Sequence, residues 1–155
     1  MGDMSMLKDR LRADLTTAIK ARDEVTSSTL RMVLTAVTNA EVSGKEAREL
    51  TDEDVMTVLG SEGKKRREAA EAFDGAGRTA QADKERAEAA VIAGYLPEQL
   101  SADEIATLVA AAIAQSGAAE LGPRGIGAVM GIVTPQVKGR ADGGVVAAEV
   151  RRQLG

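Results

Sequence analysis

The stretch IGAVMGIVTPQVKGRADGGVVAAEVRRQL, residues 126–154, reads as two short helices on either side of a turn. Before the turn, Ile126, Val129, Met130 and Val133 fall at i, i+3, i+4 and i+7, one face of a helix. After it, Val146, Val150 and Leu154 repeat every four residues, a second apolar stripe able to face the first. Gly139 can end the first helix in a left-handed conformation, and Asp142 can cap the second through its carboxylate. Lys138 and Arg140 are thereby held in a short connection, with Arg151 and Arg152 further on. From Arg124 to the end, five Lys/Arg stand against Asp142 and Glu149, net +3, whereas Pro97 to Pro123 carries four acids and no Lys or Arg. The whole chain has net charge −4. A basic hairpin on an acidic chain is the functional hint that the residues give.

Working back from the hairpin, Ser101 and Glu104 have the spacing of a capping box, and Leu100 can staple onto Ile105. The helix they open continues through Leu108, Val109, Ala112 and Ile113 to Gly117, followed by a small polar loop and by Pro123 in the next first turn. Leu96-Pro97 closes what precedes, because a residue before proline avoids the helical region. The boundary therefore falls there, with an N-terminal helical domain over 1–96 and a small three-helix domain over 97–155. The N-terminal part reads as four helices. The first runs from a Ser5 cap to Arg22, with Leu7, Leu11, Leu15, Ala18 and Ile19 as its stripe. The second runs from Asp23 or Glu24 to Ser43 on Leu30, Val33, Leu34, Val37 and Val42. After a polar connection over 43–50, Thr51-Asp52-Glu53-Asp54 opens a third, to Asp74, whose inner face is Val55, Val58, Leu59, Glu62, Ala69 and Phe73. Thr79 caps a fourth through Tyr95, on Ala82, Ala89, Ile92 and Leu96. No stretch alternates as a strand, so the fold class is all-α.

Composition narrows the chemistry. The chain has 155 residues, 44% apolar but 1% aromatic, so its core is built from aliphatic side chains, which suits packed helices. Cysteine and histidine are absent, which removes disulfides, thiolate nucleophiles, Cys/His metal sites and the commonest general base near neutral pH. The carboxylates mostly have basic neighbours along their helices, and no spacing secludes two of them. The reading is no catalytic residue, no metal and no cofactor. No apolar run has the length of a membrane span and the N-terminus lacks a signal peptide's hydrophobic region, so the expectation is a cytoplasmic protein without a membrane partner.

The densest charge run is Lys64-Lys65-Arg66-Arg67, inside the third helix, with Glu68 and Glu71 placed to pair at i+4 with Lys64 and Arg67. It reads first as a solvated helix face with weak ion pairs, and second as a secondary basic patch for phosphates. Gly60 and Gly63, in the same helix, mark a close crossing or a bend. Gly127 and Gly131 form a G-x-x-x-G that, in a soluble helix, only permits close packing.

Four separated motifs stand in order along the chain: Leu30-Arg31-Met32-Val33-Leu34; the Lys64-to-Phe73 stretch KKRREAAEAF; Tyr95-Leu96-Pro97-Glu98-Gln99-Leu100-Ser101; and Gly127-Ala128-Val129-Met130-Gly131 with Val137-Lys138-Gly139-Arg140-Ala141-Asp142-Gly143. Together they resemble the GatB/YqeY family, over essentially the whole chain as in stand-alone YqeY-like proteins. From Tyr95 onward they are also similar to the tail of the B subunit of the tRNA-dependent amidotransferase. The resemblance implies a larger helical domain followed by a three-helix tail that contacts transfer RNA. Lys138, Arg140, Arg151 and Arg152 would then meet phosphates, and Gly139 and Gly143 would let the backbone approach. It also implies an association with carbon–nitrogen ligase activity using glutamine as amide donor. That chemistry belongs to a cradle domain with no counterpart in this chain. The expectation is therefore a non-catalytic RNA-binding accessory module, with transfer RNA or a tRNA-handling complex as partner. A protein-interaction adaptor is the alternative, and an enzyme in its own right the third reading.

Overall fold

The computed structural model describes residues 6–155. Seven α-helices and one 3-10 segment make up the regular structure of these residues, with no strand among them, so the fold is all-α. The chain divides into two compact units, one ending at Leu96 and the other spanning Pro97–Gly155.

The first unit contains α1 (Met6–Lys20), α2 (Glu24–Val42), α3 (Asp52–Gly75) and α4 (Thr79–Ala93). Helix α3 lies along α4, and α1 along α2. The core is Leu7, Leu11, Leu30, Val33, Val37, Leu50, Val55, Leu59 and Ile92. The expected cap Ser5 lies outside the described residues. Along α1 the buried stripe is Leu7, Leu11 and Ala18, while Ile19 is 47% exposed. A strict four-residue repeat advances about 40° per step beyond full turns, so by Ile19 it has rotated off the face on which Leu7 began. Val42, five residues after buried Val37 and so about 140° round α2, is exposed, and Leu50, at the end of the polar connection, is buried instead.

The local caps are well formed. Asp23 accepts hydrogen bonds from the Thr26 N–H (3.0 Å) and hydroxyl (2.7 Å). Thr51 and Asp54 close a capping box at 3.2 Å in each direction. Helix α4 differs from expectation: Thr79 is its first helical residue, and Arg78 occupies the cap position with no side-chain bond. In α3 the buried small residue is Ala70, not Ala69, and Phe73 is half-buried. The inner stripe runs Val55, Leu59, Glu62, Gly63, Arg66, Ala70, a 3.6-residue period that carries one arginine of the basic run inward. Gly63 marks the crossing with α4, where a Cβ would lie 3.4 Å from Ile92; Gly60 has open space.

The second unit contains α5 (Ala102–Ser116), a 3-10 segment (Ala118–Gly125), α6 (Ile126–Val137) and α7 (Gly143–Leu154). Its core is aliphatic: Ile105, Val109, Ala112, Ala118, Val129, Val133, Val137, Val146 and Val150. Ser101 and Glu104 form the expected capping box, and Leu100 packs onto the core that contains Ile105. The region expected as a polar loop is the 3-10 segment, and it buries Ala118 completely. A Cβ at Gly125 would lie 2.7 Å from the Ala118 Cβ, so only glycine lets the segment close onto the start of α6. Gly127 and Gly131 are exposed with nothing near their Cβ positions, so the G-x-x-x-G marks no helix contact within this unit.

Candidate nucleic-acid interface

The turn between α6 and α7 is fixed by backbone bonds. Gly139 sits at φ +76°, a conformation that L side chains avoid. The N–H groups of Arg140 and Ala141 both return to the Val137 carbonyl, at 2.7 and 3.1 Å. Asp142 accepts from the Gly144 N–H at 2.7 Å and opens α7.

A second set of bonds clasps this turn from outside. The Leu100 N–H donates to the Arg140 carbonyl at 2.8 Å. Gln99 Nε2 donates to the Gly139 carbonyl at 3.0 Å and to the Pro97 carbonyl at 3.1 Å. Arg140 Nε donates to the Glu98 carbonyl at 3.2 Å. The segment leading into α5 thus holds the turn that the basic residues occupy, a pairing across about forty positions that no local pattern signals. Arg140 is half-buried as a result, with its Nε engaged and its two terminal nitrogens unbonded to any described residue. Lys138 and Gly143 are exposed, and the Gly143 backbone has open space around it.

Arg151 and Arg152 lie at the other end of α7. Eight residues separate Gly143 from Arg151, which at 1.5 Å per residue is about 12 Å along the axis. The six site residues therefore form two groups, not one. Gly122 approaches the Leu154 carbonyl, so the 3-10 segment that carries exposed Arg124 passes the C-terminal end of α7. Arg151 is exposed and makes no ion pair with a described residue. Arg152 is held by Glu149 through two bonds, 2.9 and 2.6 Å. Arg152 first, then Gln153 at 2.7 Å, brings the Glu149 carboxyl down to about 2, so it stays ionised and keeps its arginine. Cations in a helix's last turn also offset its dipole, so these two arginines have a structural use as well.

The secondary basic run is split by the fold. Lys64, Lys65 and Arg67 are exposed, but the Arg66 side chain is only 13% exposed and points into the first unit. Its Nη1 lies 3.0 Å from Glu62, its Nη2 donates to the Met32 sulfur at 3.1 Å, and its Nε is 3.6 Å from Glu88. Lys65 pairs with Glu62 at 3.2 Å, backward along the helix, and Arg67 makes no ion pair with Glu71. Arg66 is therefore withdrawn from any phosphate-facing surface. Placing Glu62 on the inner face of α3 already implied an inward Arg66 four residues on, and Glu88 stands four residues before buried Ile92 on α4.

Polar contacts also tie α1 into the first unit. The Tyr95 hydroxyl donates to Asp14, Arg10 lies 4.7 Å over the Tyr95 ring, and Lys8 pairs with Glu41 at 2.7 Å. Burial, and then Asp14, raises the Tyr95 hydroxyl above its ordinary range, so the phenol stays protonated. Among the described residues no group of three or more acidic side chains could hold a metal ion. No single helix there is long and apolar enough to cross a membrane.

Two helical units, the second ending in a basic clasped hairpin, define a class of small all-α protein. The sequence profile described as Yqey-like protein matches residues 8–154, and this chain belongs to that family. It is 30% identical over 149 residues to "Altered inheritance of mitochondria protein 41, mitochondrial" of Pyrenophora tritici-repentis, covering 94% of this chain and 80% of that protein. It is 35% identical over 91 residues to "Uncharacterized protein C22F3.15" of Schizosaccharomyces pombe, covering 59% of this chain and 72% of that protein.

Proposed function

We propose that the second unit is an RNA-backbone contact module, with transfer RNA or a complex that handles it as partner, and that the protein acts as an accessory without chemistry of its own. The observation that carries this reading is the clasped turn. Lys138 and Arg140 are presented on a connection whose backbone is already fixed, so little ordering cost remains when they meet phosphates. Arg151, at the far end of α7, lies about 12 Å from Gly143 along the helix axis, between three and four 3.4 Å rises of a nucleic-acid strand. Such contacts position a ligand without reading its sequence, and the unit has no aromatic side chain on which a base could stack.

The test is binding of transfer RNA and of unrelated RNA to the full chain across a salt series. Binding should weaken steeply with salt, and Lys138→Ala with Arg140→Ala should weaken it for every RNA. The slope should flatten by roughly 0.7 of a unit per lost contact on a single strand and about 0.9 on a duplex of DNA-like charge density. The control Lys64→Ala with Lys65→Ala should leave both unchanged. A control pair that abolishes binding while the turn pair does nothing would transfer the role to α3. Leu121 and Val145, 46% and 54% exposed in the same unit, favour the adaptor as the second reading. It takes over if no RNA binds at low salt and a protein partner binds with little salt dependence.

A further inference from the structure

A shallow recess of about 290 Å³ opens on the first unit between α1 and α2, lined by Lys8, Arg12, Leu34, Thr35, Thr38 and Asn39. Two of its six lining residues are cationic, three carry hydroxyl or amide groups, and none is acidic, on a chain of net charge −4. Lys8 is 8% exposed and gives one N–H to Glu41 at 2.7 Å. An ammonium has three donors, so two remain without a described protein acceptor where the side chain borders the recess. A buried charge with donors left over is costly unless something accepts from them. Glu41 is not among the lining residues; it lines a neighbouring recess together with Lys8 and also takes the Leu50 N–H, at 3.2 Å.

The hydroxyls point the same way. Thr16, Thr17, Thr29, Thr57 and Thr107 each donate to the carbonyl four residues back in their own helix. Thr35 and Thr38, exposed like Thr134, make no such bond, and the exposed Asn39 amide has no described protein partner, so all three are open to a ligand at the recess. Arg12 is 60% exposed at the rim, with a loose 3.8 Å pairing to Asp9 that a better anion can replace.

We propose that this recess is a phosphate-binding subsite, with Lys8 and Arg12 supplying charge and Thr35, Thr38 and Asn39 supplying hydrogen bonds. Its ligand is a phosphate group, carried either by an RNA strand or by a small phosphorylated metabolite. The subsite is independent of the turn between α6 and α7 and does not rest on the role proposed for it.

The experiment is a titration of the isotope-labelled full chain with inorganic phosphate and with pyrophosphate, followed by amide chemical shifts. The expected result is saturable shifts at Thr35, Thr38 and Asn39, including the Asn39 side-chain NH2. Half-saturation should rise at least threefold in Arg12→Gln and in Thr38→Val, with melting temperatures unchanged. Shifts that stay linear to the highest concentration, or that Arg12→Gln leaves as they were, overturn the proposal. A second arm uses the Lys138→Ala/Arg140→Ala protein, so that failure of the turn's role cannot be mistaken for failure of this one. Displacement of phosphate from the recess by single-stranded RNA identifies the strand as the source, and displacement by nucleoside monophosphates alone identifies a metabolite. Either result supports the subsite.

Discussion

A buried guanidinium between two carboxylates is tolerated only while its partners remain, because each charge has lost its water. Arg66 is in that position between Glu62 on its own helix and Glu88 on α4, with Glu88 5% exposed and Glu62 8%. Arg66→Ala should therefore cost about 3–5 kcal/mol in denaturant melts, since it strands buried Glu88 and leaves Glu62 with Lys65 alone. By contrast, Lys64→Ala with Lys65→Ala should change stability by less than about 1 kcal/mol. Glu88 adds a pH signature. Burial, and then its neighbour Glu85, raises its carboxyl above the ordinary 4.5. A carboxyl raised by folding contributes its stability below the unfolded value and loses it as pH rises through the folded one. The melting temperature of Glu88→Gln relative to wild type should thus improve between about pH 4 and about pH 7. A decline over that range would mean that Arg66 depends on the Glu88 charge more than burial opposes it.

Helix by helix, what could be read from the residues was whatever closes within one turn. The Ser101–Glu104 and Thr51–Asp54 boxes, the Asp23 start and the Gly139 stop all depend on partners three or four positions away, and each stands where its residues suggested. Where the pattern was slightly out of period the reading slipped, as at Ile19. Charge does not by itself put a side chain in solvent: Arg66, inside a basic run, points inward to Glu62 and Glu88. The 3-10 segment escaped notice because its small residues have no periodicity and Ala118 is buried through its fit against Gly125. For the candidate site, residue types and the turn were legible; the division into two groups and the clasp from Pro97–Leu100 were not, since they arise from packing. Gly139 gives this level its test. Gly139→Ala forces a side chain into φ +76° and should cost about 1–2 kcal/mol. If RNA binds at the turn, the same change should weaken that binding beyond what the lost stability explains.

Considered as whole bodies, the two units differ in how much they can rely on burial. The second spans only Pro97–Gly155, a size at which a core without disulfide or metal is marginal. The clasp then matters out of proportion to its length. A fragment over 97–155 should melt at low temperature, and one starting at residue 101 should be weaker by about 1–3 kcal/mol. It loses the Leu100, Gln99 and Glu98 bonds to the turn, worth about 0.5–1.5 kcal/mol each and not fully additive. Equal stability of the two fragments would reduce the clasp to decoration. The same bonds also impose a schedule. Gln99 leaves the ribosome forty residues before the carbonyl it will bind. At roughly 5–20 residues per second the nascent clasp waits several seconds for its receiver. The first unit has a longer wait of its own, 81 residues between Asp14 and Tyr95, but it ends at Leu96, before any of the turn is made. One half of this protein can therefore be finished while the other is still being spelled out, and the basic turn takes its shape last.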